Sequence, residues 1–156
     1  MIREISDFAS LFGSNLSLNE EFVVKKQNRQ YLVNESLKEA LSNDFFYAGM
    51  FLGKAVGGRL SPGFELLRLL AETKANRIVV DKKTEWLFIC GRDVFKQGIV
   101  KVIGSGRKGE HVLVLNTHDE CLGYGRILCD LSDGKCGLAV KNILDIGDFL
   151  RREKET

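Results

Sequence analysis

The segment Gly104-Ser105-Gly106-Arg107-Lys108-Gly109 has the spacing G-x-G-x-x-G, which in dinucleotide-binding folds wraps backbone around a pyrophosphate. That chemistry needs a helix after the last glycine, because the helix N-terminus receives the phosphates. Here Glu110-His111-Val112-Leu113-Val114-Leu115 follows, a β-branched, apolar run that reads as a strand, so the six residues read as a flexible basic turn. Gly53-Lys54-Ala55-Val56-Gly57-Gly58 lacks the order of a phosphate-binding loop, in which Gly-Lys comes last and Ser or Thr follows. Cys90, Cys121, Cys129 and Cys136 include no C-x-x-C pair, and neither His111 nor His118 stands beside them in a zinc-ligand pattern. They read as free thiols, with Cys90 a small hydrophobe inside the run Trp86-Leu87-Phe88-Ile89-Cys90. His118 lies next to Asp119 in a loop, and no serine or cysteine occupies a nucleophile turn. The expectation is a protein that is not an enzyme and holds no metal or cofactor.

Cations offer the stronger lead. Arg92, Lys96, Lys101, Arg107 and Lys108 face a single acid, Asp93, over residues 92–108, a local balance of +4. Arg151, Arg152 and Lys154 form a second cluster, interrupted by Glu153 and Glu155. Gathered on one face, these eight residues would neutralise phosphates and give salt-sensitive nucleic-acid binding. The plain alternative is a solvated surface, since the whole chain carries only +2.

The elements that must position these residues come from 156 residues, enough for one medium domain or two small ones. No apolar run approaches the roughly 20 residues of a membrane span, and Met1-Ile2-Arg3-Glu4 has no secretory character, so a soluble cytoplasmic protein is expected. Residues 1–75 carry nine cations and nine acids, whereas 76–156 carry 14 and 12 and hold ten of the 16 glycines. A boundary near Ala75 and Asn76 follows, with an α+β N-terminal domain (antiparallel sheet with helices) over 1–75 and a second unit over 76–156.

In the first unit, Ser6 is expected to cap a short helix bearing Phe8, Leu11 and Phe12 and ended by Gly13. Phe22-Val23-Val24 and Tyr31-Leu32-Val33 read as a hairpin around Gln27, Asn28 and Arg29, and Asn34 as the cap of a helix with Leu37, Ala40 and Leu41. Ser61 and Pro62 read as the start of a third helix whose polar seam is Glu65, Arg68 and Glu72 and which packs on a sheet. In the second unit, strands are expected over 77–81, 85–90, 99–103, 110–116, 121–128 and 138–140, with the first two forming a hairpin. A helical turn is read over 92–97, and Asp145 caps a terminal helix. So many short strands in about 75 residues point to a compact β-barrel, whose closure removes exposed edges.

Three segments give this arrangement a family resemblance. Residues 86–95, strand then glycine then short helix, resemble the opening of a PUA domain, an RNA-binding module. Leu122-Gly123-Tyr124-Gly125-Arg126 is similar to its L-G-x-G strand, and Asp145-Ile146-Gly147-Asp148-Phe149-Leu150-Arg151 is similar to the D-I-G-x-[FY]-[LV]-R helix of one branch. That branch is the large-subunit ribosome-biogenesis family called nuclear import protein seven, and the short chain resembles its archaeal members. The resemblance implies a C-terminal PUA-type β-barrel with short helices and non-catalytic binding to ribosomal RNA or pre-rRNA in the pre-ribosomal large subunit, with the exosome or other assembly factors as partners. It also implies RNA contacts by Arg151, Arg152 and Lys154 on the C-terminal helix. Arg92 and Lys96, on the expected first PUA helix, extend that track with Lys101, Arg107 and Lys108 by charge and proximity. Phe95, Tyr124 and Phe149 read as core rather than stacking platforms. The alternatives are a protein-interaction adaptor for an RNA-processing complex and an accessory subunit of an RNA-modifying enzyme.

Overall fold

A computed structural model describes residues 3–152, excluding the side chains of Phe149, Leu150 and Arg152; Lys154 also lies outside the described residues. Helix α1 (Arg3–Ser10) buries Ile5, Phe8 and Ala9. Ser6 therefore sits inside the helix rather than capping it, and Leu11, 47% exposed, falls off the stripe that Phe12 continues. Strands β1 (Val23–Lys26) and β2 (Arg29–Leu32) form the expected hairpin, turning at Gln27 with φ 54°. Helix α2 (Glu35–Ala40) starts at Asn34, whose side chain accepts a hydrogen bond from Leu37 N at 2.8 Å, yet it buries no residue. Leu37 and Leu41 are half-buried and Ala40 is exposed.

A second hairpin, β3 (Met50–Val56) and β4 (Arg59–Pro62), turns on Gly57 and Gly58 and was not apparent in the sequence. Gly53 and Lys54 break the alternation that would betray β3. Ser61 and Pro62 belong to β4, where proline is tolerated because the strand lies at the sheet edge. Gly63, without a side-chain cap, begins α3 (Phe64–Ala71) in their place. This helix buries Leu66, Leu67 and Leu70 and keeps Glu65 and Arg68 outside, paired at 3.2 Å.

The second half builds a six-stranded sheet of order β6-β10-β9-β8-β5-β7. Its strands are β5 (Arg77–Val80), β6 (Val94–Phe95), β7 (Ile99–Ile103), β8 (His111–Leu115), β9 (Cys121–Ile127) and β10 (Leu138–Asp145). The edge strands β6 and β7 are joined by only the three-residue 3-10 turn Lys96–Gly98, so the sheet must curl until its edges approach, giving a barrel-like form. Residues 85–90 are not a strand: α4 (Lys82–Ile89) starts at Asp81, which accepts a hydrogen bond from Thr84 N at 2.8 Å. A continuous apolar run cannot by itself distinguish a buried strand from a helix, and here the Asp81 cap decides. The helical turn expected over 92–97 is likewise a tight turn, the two-residue β6 and the 3-10 turn.

Two hydrophobic clusters use opposite faces of this sheet. Ile78, Val80, Val112, Val114, Ile127 and Val140 fill the inside of the curl with Phe88 of α4. Val79, Leu113, Leu115 and Tyr124 point outward into the core formed by α1, α3 and the first sheet. Tyr124 meets Phe8 and Phe12 edge to face, each at 5.5 Å. Gly123 explains the L-G-x-G segment: with φ 147°, it lets β10 cross so closely that a Cβ would strike the Leu144 carbonyl. The free-thiol reading holds at Cys90 and Cys121 and needs correction at the other two cysteines, while the expected burial of Cys90 fails. Cys129 and Cys136 form a disulfide, and Cys90 is exposed where α4 ends. Only Cys121 is a partly buried free thiol, pushed up to about 11 by burial.

Candidate nucleic-acid interface

Antiparallel register places His111 of β8 directly opposite Arg126 of β9, and Arg126 opposite Lys141 of β10. Directly paired residues share a face, so the three form one row across adjacent strands, about 10 Å long from the strand spacing. The row continues the outer face beyond Leu113 and Tyr124, where the core ends and solvent begins. Arg126 and Lys141 are exposed, and no ion pair reaches either among the described residues. Like charges in this position repel, so an anion laid across them would relieve an existing cost. His111 stacks against Tyr124 at 6.0 Å and meets Phe12 edge-on at 5.7 Å. Burial, aided by Arg126, holds its pKa below the ordinary histidine value, so near neutral pH it presents a neutral imidazole.

The basic loop at 104–109 is clamped beside this row rather than flexible. Gly109 N donates to Ile127 O at 2.8 Å and Ile127 N to Glu110 O at 2.9 Å. Lys108 N donates to Asp130 Oδ1 at 2.8 Å, and Leu131 N to Gly106 O at 2.9 Å. A strand does follow the last glycine, as expected, and the exposed Arg107 and Lys108 carry no ion pair among the described residues.

Neither Arg92 nor Lys96 lies on an α-helix. Arg92 sits in the turn after α4, where its carbonyl accepts from Asn142 Nδ2 at 3.3 Å, beside Lys141. Lys96 opens the 3-10 turn, and its N–H donates to Gly137 O at 2.8 Å, at the start of β10. Arg92, Lys96, Arg107 and Lys108 thus border the β9–β10 pair. Lys101 lies on β7, where it pairs with Val79 of β5, and among the described residues β7 has no strand pairing with β9 or β10.

Arg151 has a different occupation. Its Nη2 donates to Asp145 Oδ2 at 2.9 Å and Oδ1 at 3.1 Å, its Nη1 donates to Ile89 O at 2.8 Å, and Asp148 Oδ1 lies 3.9 Å away. Asp145, 3% exposed, also accepts from Asp148 N at 2.9 Å and Asn142 Nδ2 at 3.1 Å. The acidic end of the D-I-G-x-F-L-R segment therefore caps α5 (Ile146–Arg152) as expected, and its arginine ties that helix to β10 and the end of α4. Arg152 is in α5 with its side chain outside the described part, as is the side chain of Phe149. Tyr124 is buried as expected, but Phe95 is 53% exposed.

Sequence reading passed over His111, Arg126 and Lys141 because they are 15 residues apart and form no run. The signal was the β8–β9 hairpin: strands meeting around 117–120 place residue 111 opposite residue 126. Among the described residues, no group of three or more His, Cys, Asp or Glu side chains could hold a metal ion, and no helix is long and apolar enough to cross a membrane.

Comparison with known proteins places this geometry among relatives. A UPF0113 protein from Archaeoglobus fulgidus is 33% identical over 114 residues, covering 69% of this chain and 63% of its own length. A tRNA-guanine(15) transglycosylase from Methanobrevibacter smithii is 32% identical over 82 residues, covering 51% of this chain and 12% of that enzyme. The chain therefore spans under two thirds of either relative. Among solved structures, a conserved PUA domain protein from Thermoplasma acidophilum superposes with a TM-score of 0.62 at 22% identity, over 97% of this chain and 92% of that one. A hypothetical protein from Pyrococcus horikoshii gives 0.58 at 20% identity over the same shares, and both similarities concern the fold alone. The UPF0113 PUA domain matches residues 76–154, just over half the chain, and on that match the chain belongs to the UPF0113 PUA-domain family.

Proposed function

We propose that the protein is a non-catalytic RNA-binding factor acting in the cytoplasm, and that it grips structured RNA by its phosphates along the Arg126–Lys141 row. Arg107 and Lys108 extend the grip on one side, Arg92 and Lys96 on the other. The observation that carries this reading is the pair of exposed, directly opposed cations without ion-pair partners among the described residues, in a domain of a kind that generally binds RNA. Arginine forks onto phosphate oxygens, and lysine supplies a mobile point charge. Lys101, Arg151, Arg152 and Lys154 remain part of the proposed contact set only at its margins, because Arg151 already serves Asp145 and Lys101 lies on another strand. The finer setting is large-subunit ribosome biogenesis and pre-rRNA processing, of the nuclear import protein seven type, with the exosome or other assembly factors as partners. It rests on the resemblance of the D-I-G-x-F-L-R and L-G-x-G segments.

A salt series on duplex RNA tests the grip. Replacing Arg126 and Lys141 with Gln should flatten the log-log dependence of affinity on salt by about 1.8, at about 0.9 per phosphate contact. An unchanged slope would refute it. An adaptor role is a second reading, favoured by the outer edge of β7, where Val100 is 63% exposed beside Val102 and Ile103. Under that reading the same double variant keeps its protein partners and its affinity for RNA alike.

A further inference from the structure

The first sheet carries a second cationic row that the RNA-binding reading above does not use. Register pairs Lys26 of β1 with Arg29 of β2, and Arg29 with Lys54 of β3, so three cations stand side by side on one face. Arg29 and Lys54 are exposed and have no ion-pair partner among the described residues. Lys26 is half-buried: its Nζ donates to Asn43 O at 3.0 Å, lies 3.6 Å from Asp44 Oδ1, and sits 5.4 Å above the Phe45 ring. Asp44 is fully exposed, so water screens most of its pull on the row.

The same face bears an aromatic cluster. Tyr31 is enclosed by Phe45, Tyr47 and Phe51 at 5.9, 5.1 and 5.6 Å. Tyr47 is itself 58% exposed, and Phe46, between Phe45 and Tyr47, is 90% exposed. Phe46 lies in the chain between Phe45, whose ring sits under Lys26 of the row, and Tyr47, which packs on Tyr31, so two exposed rings stand in the segment that borders the row.

We infer that the Lys26–Arg29–Lys54 row and the Phe46 and Tyr47 rings form a second binding surface, for single-stranded RNA. Adjacent cations at strand spacing follow a phosphate backbone, while flat rings accept unpaired bases, whose faces a duplex hides. A strand of RNA supplies a charge and a flat base in every repeating unit, whereas an acidic protein segment must bring separate apolar side chains to the rings, which is why the strand of RNA is the better fit. The surface is separate from the Arg126–Lys141 row, so each can fail alone.

Binding of a labelled short oligouridylate and of an RNA duplex to the full chain tests the inference. Phe46→Ala, which removes an exposed ring and leaves the core intact, should weaken oligouridylate binding about 10-fold. Arg29→Gln with Lys54→Gln should flatten its salt slope by about 1.4, at about 0.7 per contact on a single strand. Arg126→Gln with Lys141→Gln should lower duplex affinity and spare the oligouridylate. Unchanged oligouridylate affinity in both Phe46→Ala and Arg29→Gln/Lys54→Gln would overturn the inference while leaving the duplex result to judge the first surface. Competition by polyglutamate that depends on Arg29 and Lys54 but not on Phe46 would also overturn it, in favour of an acidic protein.

Discussion

Replacing Arg151 with Ala separates a structural arginine from an RNA-binding one. The change removes two charge-assisted hydrogen bonds to Asp145 and one to the Ile89 carbonyl, and leaves the 3%-exposed Asp145 carboxylate without its cation. Stripping one member from a fully buried ion pair costs about 3–5 kcal/mol. Two features reduce that figure here. Arg151 is 47% exposed, so water screens the pair, and Asp145 keeps its bonds from Asp148 N and Asn142 Nδ2. A loss of about 2 kcal/mol follows, which in a chain of this size lowers Tm by about 4–8 °C. Arg151→Lys should recover part of it, since an ammonium reaches the carboxylate but cannot also serve Ile89 O with the same geometry. Calorimetry or thermal circular dichroism reads the shift directly, and RNA titration on the same samples reads binding. An unchanged Tm together with a large fall in RNA affinity would refute the clamp and return Arg151 to the contact surface.

Three other outcomes follow from polar groups in unusual settings. Gln30 is wholly buried with neither its amide nitrogen nor its amide oxygen hydrogen-bonded among the described residues, so Gln30→Met should stabilise the fold by about 1 kcal/mol in denaturant titration; destabilisation would show that the amide is satisfied. His111 has a pKa lowered by burial, so the unfolded chain binds its proton more readily than the folded one. Stability from this group is present above the unfolded value near 6.5 and falls as pH drops through it, and His111→Gln should remove that part of the pH dependence. Cys90 should be alkylated rapidly in the native protein and Cys121 scarcely at all, because Cys90 is exposed whereas burial keeps the Cys121 thiol protonated up to about 11; equal labelling rates would contradict the packing of β9.

Local signals carried much of the fold. Asn34 and Asp145 each announce a helix start through a side-chain acceptor three residues before the N–H it receives, and the β1–β2 turn shows in its polar centre. The errors arose where one signal served two structures. Ser61-Pro62 suits both a helix start and an edge strand, and only the pairing of β4 with β3 separates them. Residues 86–90 are apolar enough for strand or helix, and the Asp81 cap lies outside that run. The candidate site was legible in type but not in place. Charge density pointed to Arg107 and Lys108, yet the row through Arg126 and Lys141 is a product of register, invisible to any count along the chain. The Asp145–Arg151 bond shows the reverse limit: composition counts a cation, and only the fold reveals that its charge is already engaged.

The outward wall of the curled sheet bears on how far its familiar pattern is portable. Val79, Leu113, Leu115 and Tyr124 are sealed by residues from the opening half of the polypeptide. A fragment cut after Ala75 would present those side chains to water and trade a lining for a sticky exterior. The recognisable stretch of sequence is thus shorter than the physical unit that must be transplanted if the domain is to stand alone in a chimera.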